Sequence, residues 1–199
     1  MEYNYDNMPT SIDKDSATTF FIYDGNGKRV KKVSPSHDVS YFGEAFEKRD
    51  GVKTIYLFAG TKRVASIEYG GQTKFYHTDY LGSTRVVTDS TGGEVQRLEY
   101  YPFGTYRVED PDPAIIPHTF TGQEYDDELG FYNYKARLYD PLIGRFITPD
   151  RIVPRPEDPQ SLNRYSYTVN NPMRYKDPNG KSSSDAHFNA AFWAGIGAL

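Results

Sequence analysis

Of the six aspartates that stand beside proline in this chain, four lie after residue 130: Asp140-Pro141, Pro149-Asp150, Asp158-Pro159 and Asp177-Pro178. A carboxyl group in such a setting has two roles open to it. Near a second carboxyl it can share a proton, so that one acts as base and the other as acid. Beside Pro or Gly it also commonly closes a turn by accepting backbone amides. Spacing alone leaves both roles open. Other chemistry is less well supported. His37, His77, His118 and His187 are scattered without metal-ligand spacing, and there is no Cys to supply a thiolate. Asp24-Gly25-Asn26-Gly27 does not open a helix, so it is not read as a phosphate loop. No metal or cofactor is expected.

The elements that would position these residues read as β-structure. Hydrophobic residues are 37% of the 199, yet aromatics reach 16%, with 18 Tyr and 12 Phe. Such a chain is too aromatic for disorder and too poor in aliphatics for a deep core. Strands with half-buried aromatic faces reconcile the two, because a tyrosine ring packs while its hydroxyl stays bonded. The net charge of −4 comes with no basic block, so no nucleic-acid partner is expected. Met1 to Asp13 is polar, without a signal segment, and no apolar run is long enough to span a membrane. Both ends read as cuts through a longer protein.

Strand and turn signals alternate. Phe20 to Tyr23 meets Asp24-Gly25-Asn26-Gly27 and then Arg29 to Val33. Thr54 to Ala59, Arg63 to Tyr69 and Thr73 to His77 follow one another across Gly-containing turns. Val86 to Thr88 leads through Asp89-Ser90-Thr91-Gly92-Gly93 to Glu94 to Tyr101. These four hairpin-like units have the spacing of an all-β array. Tyr5-Asp6 and Tyr23-Asp24 repeat, with Asp predicted to bond the turn amides. Periodicity alone fits a stacked repeat and a β-sandwich equally. Residues 102–119 read as a loop with an acidic, proline-rich centre. Ser184 to Ala194 predicts a short helix capped by Ser184.

From His77 onward the residues carry a family pattern. His77-Thr78-Asp79-Tyr80-Leu81-Gly82-Ser83-Thr84-Arg85, Glu99-Tyr100-Tyr101-Pro102-Phe103-Gly104 and Phe120-Thr121-Gly122-Gln123-Glu124-Tyr125 come first. Ala136-Arg137-Leu138-Tyr139-Asp140-Pro141 leads on to Gly144-Arg145-Phe146-Ile147-Thr148-Pro149-Asp150. Asn163-Arg164-Tyr165-Ser166-Tyr167, Asn170-Asn171-Pro172 and Asp177-Pro178-Asn179-Gly180 complete the series. In this order they resemble the repeat-associated core of Rhs/YD-repeat proteins, and the residues before them resemble YD repeats.

The resemblance implies an all-β fold: antiparallel YD-repeat hairpins forming part of a hollow β-shell, with a loop-rich C-terminal plug and a short C-terminal helix. It divides the chain into YD-repeat hairpins at 1–75, a repeat-associated core at 76–181 and the start of a variable region at 182–199. It implies an encapsulating segment of a secreted bacterial toxin, shielding a C-terminal toxin domain for delivery. The toxin domain, the rest of the parent shell and an immunity protein are the expected partners. An alternative is a self-cleaving aspartic-type protease that releases the toxin. Autoproteolysis of this type is the only enzymatic activity implied. Asp150 and Asp177 would then be the catalytic pair, Asp140 and Asp158 alternatives, Arg145 the cation that orients them, and cleavage would fall near Lys181. Self-cleaving relatives usually carry Leu where this chain has Lys181. A further alternative is a cell-surface module that binds a glycan or a protein.

Overall fold

A computed structural model describes residues 1–107, 116–151 and 159–181. Asp158, the acidic stretch at 109–113, His187 and the helix expected at 184–194 lie outside the described residues. Two antiparallel meanders make up the fold. The first is an eleven-stranded sheet in sequence order. It runs through β1 (Glu2–Tyr3), β2 (Pro9–Lys14), β3 (Ala17–Tyr23), β4 (Arg29–Val33), β5 (Asp38–Tyr41) and β6 (Phe46–Arg49). It continues through β7 (Val52–Ala59), β8 (Lys62–Glu68), β9 (Thr73–Thr78), β10 (Thr84–Thr88) and β11 (Glu94–Arg97). The second has four strands: β12 (Glu124–Asp126), β13 (Phe131–Asn133), β14 (Leu138–Asp140) and β15 (Arg145–Phe146). The chain divides into two compact units. One comprises Met1–His77 and Arg85–Arg97; the other holds Thr78–Thr84 and the described residues from Leu98 onward.

The expected hairpins form at β3–β4, β7–β8, β8–β9 and β10–β11. Their turns share one construction. Asp24 Oδ1 accepts the amides of Asn26 and Lys28, both at 2.9 Å. Asp79 does the same for Leu81 and Ser83, and Asp89 for Thr91 and Gly93. In each turn the glycine three residues after the Asp has positive φ, which a side chain would strain. At the first repeat the anchor is Asn4, whose Oδ1 takes the amides of Asp6 and Met8. Asp6 is therefore not the turn-forming residue expected there, and Tyr5 projects fully into solvent.

Side chains alternate across the large sheet, and its covered face mixes apolar residues with polar and charged ones. Thr19 and Phe21 are buried on β3, while Phe20 and Ile22 are exposed. Lys32, opposite Phe21 and Val39, is 0% exposed, and Glu47 is 3% exposed. Glu47 is satisfied by the Tyr56 hydroxyl at 3.0 Å and by Arg49 Nε at 3.1 Å. The Arg63 guanidinium lies 4.7 Å from the Tyr56 ring centroid. Charge and tyrosine thus share the covered face with a few aliphatic residues such as Ile12, Val39 and Val87.

The second unit has an aromatic core of Phe120, Tyr132, Tyr134, Tyr139, Phe146 and Tyr167. The four tyrosine hydroxyls are all bonded. Tyr132 donates to Gly104 O at 2.9 Å and Tyr139 to Phe103 O at 2.8 Å, which fastens the Pro102-Phe103-Gly104 turn to the core. Tyr134 joins Thr121 at 2.7 Å and Tyr167 at 3.0 Å. Burial raises the pKa of all four phenols, so they stay neutral and keep these bonds.

Candidate functional site

The candidate site lies inside the second unit and begins with a tight turn after β13. Lys135 adopts φ +66°, and the Tyr134 amide donates to Arg137 O at 3.0 Å. This turn sends Arg137 inward rather than to solvent. Its guanidinium carbon stands 3.6 Å from the centroid of the Phe146 ring on β15, and the residue is 6% exposed. Phe146 is fixed by its own amide, which donates to Tyr165 O at 2.9 Å.

The guanidinium fork reaches four partners. Nη2 lies 2.9 Å from Asp150 Oδ2 and 3.4 Å from Asp177 Oδ2. Nη1 donates to Arg164 O at 3.1 Å, and Nε donates to Gly180 O at 2.6 Å. Asp150 and Asp177 are 6% and 1% exposed. Desolvation by burial pulls the Arg137 pKa below its ordinary value, while the two carboxylates act in the opposite direction. An arginine remains cationic under such competition because its starting pKa is so high. One buried cation therefore serves two buried carboxylates.

The junction turn is equally fixed. Asp177 Oδ1 accepts the amides of Asn179 at 3.2 Å and Gly180 at 2.9 Å. Gln123 Nε2 donates to Pro178 O at 3.1 Å, and the Ala136 amide to Asn179 O at 3.2 Å. Gly180 has φ +69°, and a Cβ there would stand 2.5 Å from Tyr134 O. Only glycine fits this approach of backbone to backbone. Lys181 follows at the surface.

The structure thus brings together Asp150 and Asp177, which lie on one arginine nitrogen. It does not bring in Arg145. That residue is exposed on β15 opposite Asp140, and the orienting cation is Arg137. Asp140 takes the Leu142 amide at 2.8 Å, closing the β14–β15 hairpin. The residues that sequence reasoning did not assign are Arg137, Gln123 and the Arg164 carbonyl. Arg137 carried one signal: a charged residue immediately before the apolar Leu138-Tyr139 of a strand.

Chemically, two carboxylates on one guanidinium can act as a latch. They can also act as a proton-sharing pair beside the peptide bonds around Lys181.

The profile of the Teneurin YD-shell family matches residues 43–173. The chain belongs to the Teneurin YD-shell family. The matched segment carries β6 to β15 and the Arg137–Asp150 pair, while Asp177 lies just beyond it. A YD-shell chain of this kind bears out the resemblance to Rhs/YD-repeat proteins and the all-β shell fold expected from it. Among similar proteins is Salivary gland surface protein 1 of Aedes aegypti, 41% identical over 112 residues, or 54% of this chain and 3% of that protein. The tRNA3(Ser)-specific nuclease WapA of Bacillus spizizenii is 27% identical over 178 residues, or 84% of this chain and 8% of that protein. The crystal structure of TcdB2-TccC3-Cdc42 superposes with a TM-score of 0.73 at 23% identity, covering 97% of this chain and 10% of the other. At that identity the likeness is one of fold. This YD-shell chain therefore spans a tenth or less of each of these proteins.

Proposed function

We propose that this chain is the C-terminal shell and plug segment of an Rhs-type secreted toxin, and that it shields a toxin domain attached beyond Lys181. The observation that carries this reading is the anchoring of the 177–180 turn through its buried ends, Asp177 and Gly180. A strand of chain clamped by Arg137, Gln123 and its own Asp177 gives whatever follows a fixed exit from the shell. The WapA relative, a nuclease by name, supports an effector as the passenger. The toxin domain and the remainder of the parent shell are the partners, with an immunity protein acting on the released toxin, and the setting is extracellular. Limited proteolysis of the parent protein tests this. The passenger is expected to resist protease until the shell is opened, and the Arg137→Ala parent is expected to expose it. A passenger digested as fast as a free domain would overturn the reading.

A second reading, self-cleavage near Lys181, is favoured by one observation: Asp150 and Asp177 share a single arginine nitrogen, and Arg137 Nε on the same fork donates to Gly180 O, the carbonyl that precedes Lys181. In this chemistry one carboxylate takes a proton from water, and the water oxygen attacks the peptide carbonyl. The other, protonated, carboxyl gives its proton to the departing amide nitrogen. The C–N bond breaks, leaving a carboxylic acid and an amine. Intact-mass analysis of the purified chain tests it. Two fragments meeting near residue 181 are expected, with a single uncut mass for Asp150→Asn. An unaltered chain that remains whole would exclude self-cleavage.

A further inference from the structure

The self-cleavage reading leaves open what holds the Asp150 carboxylate on Arg137 rather than elsewhere in the core. Asp150 ends the segment that leaves β15, and its backbone is pinned on both sides by one residue. The Asp150 amide donates to Arg164 O at 2.9 Å. In return, Arg164 Nε donates to Asp150 O. The Arg164 carbonyl also accepts Arg137 Nη1 at 3.1 Å. A single residue thus sets both the cation and the carboxylate that meets it. Neighbouring residues extend this into a ladder: Tyr165 O takes the Phe146 amide, and Ser166 bridges Arg145.

We infer that the Arg164 side chain is the positioning group of the carboxylate pair, acting through its Nε on the Asp150 backbone carbonyl. The inference rests on the self-cleavage reading. Its chemistry is that of preorganisation. The Asp150 side chain points where its backbone directs it, and displacing a reacting group by about 1 Å can cost about 100-fold in rate. The Arg164 side chain touches no reacting atom. Its Nε lies at a fixed place in a planar fork, which an ammonium on a flexible stem does not reproduce. On the carboxylate side of this arrangement Arg137 binds both Asp150 and Asp177; the Arg164 Nε faces the backbone side.

The test is the rate of self-cleavage of the full chain, followed by intact mass, for the unaltered chain, Arg164→Ala and Arg164→Lys, with the near-ultraviolet circular dichroism of the tyrosine core recorded beside it. Arg164→Ala is expected to cut about 100-fold more slowly with the tyrosine signal unchanged. Arg164→Lys, which keeps the charge and guards against a folding failure of the alanine variant, is expected to be slowed by less. Equal rates in all three chains, or slowing that comes only with loss of the tyrosine signal, would overturn the inference while leaving self-cleavage intact. If the unaltered chain shows no cut, self-cleavage itself fails, and the positioning role falls with it.

Discussion

Arg137 lies over the ring of Phe146 at 3.6 Å and binds Asp150 at 2.9 Å from the same guanidinium, so an aromatic face and a carboxylate hold one buried cation from two directions. Removing that cation strands two carboxylates with almost no solvent. Arg137→Met is expected to destabilise the second unit by about 3–5 kcal/mol, the scale for breaking a buried ion pair from one side. Arg137→Lys keeps the charge and loses the fork, and is expected to fall between the two. Urea unfolding of the three proteins at neutral pH checks the order.

Gly180 and Gly92 both have positive φ, but their surroundings differ. A Cβ at Gly92 meets nothing within 4 Å, whereas at Gly180 it would stand 2.5 Å from Tyr134 O and 3.0 Å from the Arg137 amide nitrogen. Gly92→Ala is expected to cost about 1–2 kcal/mol, the price of a left-handed alanine. Gly180→Ala is expected to cost more and to free the junction turn, read as faster proteolysis around residue 181. Equal melting temperatures for the two variants would contradict this.

Alkaline stability depends on the buried phenols. Burial is the leading cause that pushes Tyr76 and Tyr125 up to about 12. In the unfolded chain a tyrosine releases its proton near pH 10. The folded state therefore holds these protons over a range in which the unfolded state has lost them. Their contribution is present in full below about pH 10 and is lost as pH rises through about 12. Urea midpoints are expected to decline across this window, and tyrosinate absorbance should rise together with unfolding rather than ahead of it for the buried groups.

At the acid end the Asp89 turn is the sensitive feature. The Thr91 hydroxyl, then the amides of Thr91 and Gly93, lower the Asp89 pKa. A depressed folded pKa gives stability that is present above the unfolded value near 3.9 and lost as pH falls through the folded value. Asp89→Ala is expected to lower the melting temperature modestly at neutral pH, with the difference from the unaltered chain vanishing in acid. A difference that persists unchanged at low pH would show that the carboxylate is not its source.

The hairpins legible in the sequence were those with an apolar run on each side of a Gly-containing turn, such as Phe20 to Val33 and Thr54 to Tyr69. Strand β6 was not legible for a physical reason. Glu47 and Arg49, which lie on the covered face, satisfy each other there, so Phe46–Arg49 shows no alternation of apolar with polar residues. The Asp-anchored turns were legible at Asp24, where side chain and amides are neighbours in sequence. At the first repeat Asn4 took the role expected of Asp6, because Asn supplies the same oxygen two residues before the same amide.

The sequence by itself determined the local β-hairpins, the shell family and the candidacy of Asp150 and Asp177, since these depend on short-range turn chemistry and on motifs that read in order. Tertiary structure alone decided which cation serves them. Arg137 and Arg145 both precede apolar strand residues, and nothing local separates them. The left-handed turn at Lys135 carries Arg137 into the core, where Phe146 offers a flat face and residues 150, 164, 177 and 180 converge. Arg145 stays at the surface of β15. Charge placement in a buried site is set by contacts across tens of residues, here 40 between Arg137 and Asp177, and no spacing within one strand encodes it.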